Sequence, residues 1–141
     1  MNGQLTVTRE FHVSRQQRGR KQLRDGASEE VPLGRVPRIA RLLALAIRCD
    51  QLIEEGAVAS QSALSRAGHI TTARMTQIMM QLNLAPDIQE QILFLPRVER
   101  GRGVIQEMDV RPIAATLDWR KQRRMWAALV RKCANNNASS R

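Results

Sequence analysis

Hydrophobic positions follow helical spacing over most of the chain and alternate as in a strand only near its start. In SQSALSRAGHITTARMTQIMMQL, residues 60–82, Leu64 and Ala67 lie three apart, and Met75, Ile78, Met79 and Leu82 recur at i, i+3, i+4 and i+7. That spacing stripes one face of each of two short helices. Between them Gly68 and His69 can supply a positive φ, Ile70 turns an apolar side chain inward, and Thr71 is placed to cap the next helix. The pattern predicts a helix-turn-helix over 60–82.

The flanking stretches read in the same way. Pro37 suits the first turn of a scaffold helix that ends near Gly56 and whose apolar face holds Ile39, Leu42, Leu43, Leu45, Ala46 and Ile53. Pro86 opens a further helix through Leu95, with Ile88, Ile92 and Leu95 on one side and Pro96 as its stop. Ile105 to Ala115 reads as a short helix that Pro112 kinks or bounds. Asp118 can cap a last helix from Trp119 to about Cys133. Its apolar face would carry Trp119, Trp126, Leu129 and Val130, opposite Arg120, Lys121, Arg124, Arg131 and Lys132. At the other end Leu5, Val7, Phe11 and Val13 alternate with polar residues, which predicts a short strand over 5–13. Ser14 to Pro37 is rich in Arg, Lys, Gln and Gly and reads as a flexible basic arm. The expectation is an all-α domain over 37–133, an extended N-terminal arm over 1–36, and a disordered tail over 134–141.

Composition narrows the function. The 141 residues are 43% hydrophobic but only 3% aromatic, with no Tyr, so Leu, Ile, Met and Ala must fill the core. A net charge of +10 makes a polyanion the expected partner, nucleic acid first among them. Cys49 and Cys133 suggest no disulfide framework, which fits a reducing cytoplasm. No stretch is apolar enough to span a bilayer and the N-terminus lacks signal-peptide character, so no membrane partner is expected. His12, His69 and the two cysteines have no zinc-site spacing. Gly101-Arg102-Gly103 lacks the spacing and the Lys-Ser/Thr ending of a P-loop. Scattered acids form no catalytic set. No enzymatic activity, metal or cofactor is expected.

With Met75 inward, the second motif helix turns Ala73, Arg74, Thr76, Gln77, Met80 and Gln81 outward. Arg can pair with guanine, Gln with adenine, and Thr or Ala methyls can meet the thymine methyl. The same stripes would also suit a plain helical hairpin.

LSRAGHITTARMTQIMMQLNLAPDIQEQI resembles the helix-turn-helix of the ParB and KorB family, and the later IQEMDVRPIA resembles the segment that follows it there. The chain is also similar to small proteins of bacterial mobile elements found beside site-specific recombinases. The resemblance implies Thr72, Ala73, Arg74 and Gln77 at base edges and Thr71 near a phosphate. Thr76 and Gln81, the arm residues Arg15, Arg18, Arg20 and Lys21, and Arg120, Lys121 and Arg124 are expected on the DNA backbone. Two residues depart from the family pattern: Gly68 replaces a larger apolar residue, and His69 replaces the usual Gly, so the turn can be shifted by one. The family's nucleotide-binding domain has no counterpart, so clamp loading driven by CTP is not expected.

The expected function is sequence-specific binding of duplex DNA by a homodimer in the bacterial cytoplasm, at the nucleoid. The chain would act as a repressor or as an accessory factor of a plasmid, phage or recombinase system, with a site-specific recombinase as a candidate partner. A basic RNA-binding protein and a helical adaptor docking on a recombinase or polymerase are the alternatives. The shortage of aromatic stacking platforms counts against RNA.

Overall fold

The broad apolar face between Ile39 and Ile53 belongs to a helix that both helical cores share. In a computed structural model, which describes residues 8–9, 11–15, 21–26 and 33–138, this is α1, Arg38–Glu54. It is followed by α2, Gln61–Ala67, α3, Thr72–Met79, and a 3-10 turn, Met80–Asn83. Then come α4, Pro86–Leu93, α5, Glu107–Ala114, and α6, Trp119–Ala138. The described residues of the unit Gly34–Arg141 form an all-α domain, as the helical periodicity predicts.

Two cores share α1. Near its start Ile39, Ala40 and Leu43 join Leu84, Ala85, Ile88, Ile92, Val110, Ile113 and Trp126. Further along, Ala46 and Cys49 meet Met75, Ile78 and Met79 of α3, and Leu82 packs against both groups. Ile39, Leu43, Leu84, Ile88 and Ile92 are fully buried, each contributing about 1.5–3 kcal/mol relative to exposure. Leu45 departs from expectation, since it is 46% exposed. It stands roughly 200° around the helix from Leu43, on the face away from the core.

A buried polar side chain fastens α6 to the middle of the fold. Gln122 is fully buried; its Oε1 accepts from the Ala85 N–H at 2.8 Å, and its Nε2 donates to the carbonyls of Asn83 at 3.0 Å and Thr116 at 2.6 Å. All of its polar capacity but one lone pair is thereby used. Trp126 Nε1 donates to Gln91 Oε1 at 2.7 Å, and Arg123 pairs with Asp87 at 2.9 Å. Asp118 accepts from the Arg120 N–H at the start of α6.

Several boundaries differ from the sequence expectation. Pro112 lies inside α5 without ending it, because burial of Val110 and Ile113 on either side holds the helix through the missing amide bond. The predicted disordered tail is helical as far as Ala138: Ala134 to Ala138 contains neither Gly nor Pro, and Asn costs only about 0.7 kcal/mol per helical residue. Residues 139–141 lie outside the described residues. Trp119 and Val130, expected in the core, are 47% and 40% exposed. The α4 and α5 helices have eight residues each and cover only part of the twenty-residue α6.

The unit Met1–Leu33 holds a hairpin. Strand β1, Phe11–Arg15, pairs antiparallel with β2, Lys21–Asp25, in the register Phe11↔Asp25, Val13↔Leu23 and Arg15↔Lys21. The strand expected over 5–13 coincides with β1 only at Phe11 to Val13, and Leu5 and Val7 lie outside the described residues. β2 falls in the stretch expected to be a flexible arm. Its sequence, KQLRD, has one apolar residue and no alternation to read, so the pairing with β1 decides its conformation.

Candidate nucleic-acid interface

Local chemistry builds the α2–turn–α3 unit. Ser60 Oγ accepts from the Ala63 N–H at 3.3 Å and Thr71 Oγ1 from the Arg74 N–H at 3.1 Å, so each helix starts on a hydroxyl cap. In the turn, Gly68 has an ordinary φ of −85° and His69 takes the left-handed conformation, φ 52°. That twist returns the Ile70 N–H to the Ser65 carbonyl at 3.0 Å, the closing bond of a Schellman motif. His69 thus occupies the position where Gly is usual, at a cost of about 1 kcal/mol. Gly68 is small for another reason: a Cβ there would stand 3.3 Å from the Leu64 carbonyl oxygen.

The inward stripe of α3 is Met75, Ile78 and Met79, all buried. Thr72, Ala73, Thr76 and Gln77 are exposed along the outer side, with Thr71 at its head. Thr76 Oγ1 donates to the Thr72 carbonyl at 3.0 Å, so its hydroxyl is partly engaged within the helix.

Arg74 is not a free side chain. Its guanidinium makes a two-point pair with Glu107 of α5, 2.5 Å from Nη1 to Oε1 and 3.0 Å from Nη2 to Oε2, and Nη1 also donates to Gln77 Oε1 at 3.2 Å. Arg111 closes the network through Nη2, 3.1 Å from Gln77 Oε1 and 3.2 Å from Glu107 Oε1. Glu107 is largely buried, its side chain 13% exposed. Hydrogen bonds from Arg74 foremost, then from Arg111, hold its carboxyl below its ordinary pKa against the opposing effect of burial. The same bond raises Arg74. Two guanidinium groups face one carboxylate, which leaves this surface cationic.

Gln81 corrects the sequence expectation. Helical spacing puts it outward, toward a phosphate, but it is 4% exposed, and neither its Nε2 nor its Oε1 has a hydrogen-bond partner among the described residues. The 3-10 turn that carries it packs against α5, which covers residue 81. There it borders an apolar cavity of about 380 Å³ with Met80, Val110 and Pro112.

The remaining predicted phosphate contacts lie on other elements. Arg120, Lys121 and Arg124 are exposed on α6 and form no ion pair among the described residues. The backbones of Arg15 and Lys21 are partners in the hairpin register, and Arg18 and Arg20 lie outside the described residues. Glu107 and Arg111 were missed by sequence reasoning. Their i, i+4 spacing suggests only a surface ion pair of one helix, and nothing local points from α5 to Arg74.

Among known proteins, no family model matches the chain, and neither does any curated protein or solved structure.

Proposed function

We propose that the chain reads duplex DNA through α2 and α3, as a homodimer on an inverted repeat, and serves as a repressor or as an accessory factor of a plasmid, phage or recombinase system. The observation that carries this reading is the division of α3: Met75, Ile78 and Met79 are buried, and Thr72, Ala73, Thr76 and Gln77 stand exposed beside a hydroxyl-capped N-terminus. Small and hydrogen-bonding side chains on a helix start suit a major groove. The net charge of +10 supplies attraction to the backbone, and the resemblance to the ParB and KorB helix-turn-helix points the same way.

In this reading Gln77 and Arg74 meet base edges, with Arg74 exchanging Glu107 for guanine, and Arg120, Lys121 and Arg124 add backbone affinity. The test is selection of bound duplexes from a random pool at physiological salt with excess competitor DNA. A palindromic motif is expected. Gln77→Ala should relax base preference, by about 1–3 kcal/mol at the affected position, while Arg124→Ala should weaken binding to all sequences alike. Recovery of no motif, or equal losses in both variants on every sequence, would refute the reading.

A further inference from the structure

Four arginines that the reading helix does not use line one cavity of about 440 Å³: Arg35, Arg38, Arg41 and Arg102, together with Gly103 and Gln106. They come from two loops and the start of α1, brought together by a short antiparallel bridge. The Arg35 N–H donates to the Val98 carbonyl at 3.0 Å and the Val98 N–H to the Arg35 carbonyl at 2.8 Å. Arg97 Nη1 donates to the Gly34 carbonyl at 3.2 Å, and the Arg35 guanidinium donates to the Gly101 carbonyl. Gly34 makes this approach possible. Its φ is +92°, and a Cβ there would lie 3.0 Å from the Val98 oxygen.

The charge arrangement is unfavourable by itself. None of the four arginines forms an ion pair among the described residues, and the carboxylate on the cavity wall, Glu107, is held by Arg74 and Arg111. Arg38 and Arg41 also sit at the positive end of α1, whose first turn contains no acidic residue and whose N-cap, Pro37, offers no side-chain cap. Apolar walls from Pro37, Val98 and Ile105 concentrate the field of the four guanidinium groups inside a concave site. Planar guanidinium forks match phosphate oxygens two at a time.

We propose that this cavity is a phosphate-binding site formed by Arg35, Arg38, Arg41 and Arg102, and that its phosphate comes from the backbone of bound DNA. The choice of source rests on the DNA-reading proposal. Glu107 borders the cavity and pairs with Arg74 on α3, so the site adjoins the reading helix and anchors the strand beside it. It also gives a role to the Gly101-Arg102-Gly103 run, which binds here through convergence with α1 and not as a P-loop.

The test compares the full chain with R38Q/R41Q, both exposed positions, after circular dichroism shows equal helicity. Binding to a 20-base-pair duplex, roughly two helical turns, is measured over a salt series. Inorganic pyrophosphate is titrated separately, followed by amide NMR shifts at 38–41 and 102–103. The variant should lose about tenfold in duplex affinity on every sequence and about 1–2 units of salt slope, and should lose the pyrophosphate shifts. Equality with the unsubstituted chain in both measurements overturns the site, even if Gln77 still governs base preference. Pyrophosphate shifts that vanish in R38Q/R41Q, in a chain that binds no duplex, uphold the phosphate site but overturn DNA as its source, leaving a phosphorylated small molecule.

Discussion

Arg74 on α3 and Glu107 on α5 are 33 residues apart and meet in a two-point ion pair, with Nη2 to Oε2 at 3.0 Å. The pair ties α3 to the last third of the fold, and it holds a side chain expected at a base edge against a carboxylate. Removing the Glu107 carboxylate leaves the Arg74 guanidinium, 26% exposed, without its ion-pair partner.

Glu107→Gln should therefore destabilise the fold by about 1–3 kcal/mol. Urea denaturation should show a lower midpoint with an unchanged slope. Under the DNA-reading proposal the same variant releases Arg74 and removes a negative charge from the surface, so duplex affinity should rise in fluorescence anisotropy while stability falls.

Acid should act through the same residue. The folded pKa of Glu107 is depressed, so its stabilisation is complete above the ordinary unfolded value of about 4.3 and is lost as pH falls through the folded value. The unsubstituted chain should lose stability over that window more steeply than Glu107→Gln, as read from denaturation midpoints at stepped pH. Asp87, lowered chiefly by the Arg123 hydrogen bond, shares the sign, but its side chain is 46% exposed and solvent screens its contribution.

Gln81 predicts a gain. Its carboxamide is buried without a partner, and a group of that kind bears its desolvation cost uncompensated. Gln81→Met keeps the shape and length, and should stabilise the fold by about 1 kcal/mol in the same denaturation assay. A loss of stability would mean that the amide is satisfied in solution.

Gln122 predicts the opposite. Its three hydrogen bonds serve the buried Ala85 N–H and the carbonyls of Asn83 and Thr116. Gln122→Leu should cost about 1–3 kcal/mol, chiefly by leaving the buried Ala85 N–H unsatisfied, since the Asn83 carbonyl keeps its bond from Trp119 Nε1, and should lower Tm accordingly, as measured by calorimetry. The two substitutions replace buried glutamines with apolar residues, and only the hydrogen-bond partners give them opposite signs.

The helix-turn-helix segment was legible because its causes are local. Periodic apolar residues, the Ser60 and Thr71 caps, and a turn at Gly68 and His69 each act within one helical turn, and α2 and α3 follow from them. The inward set Met75, Ile78 and Met79 was readable for the same reason. Gln81 was not, because the packing of the 3-10 turn against α5 buries it and leaves no mark on the apolar pattern. β2 was also hidden, since its conformation is set by the register with β1 and not by its own residues.

The sequence by itself determined the helical class, the motif helices with their caps, and the cationic balance of the chain, all properties of neighbouring residues or of composition. Tertiary structure alone decided that Glu107 holds Arg74, that Gln81 is buried and Gln122 satisfied, and that Arg35, Arg38, Arg41 and Arg102 converge on one cavity. Such relationships join residues tens of positions apart. They depend on how helices pack and on where a bridge such as Arg35 with Val98 brings two loops together, and spacing along the chain carries no trace of that.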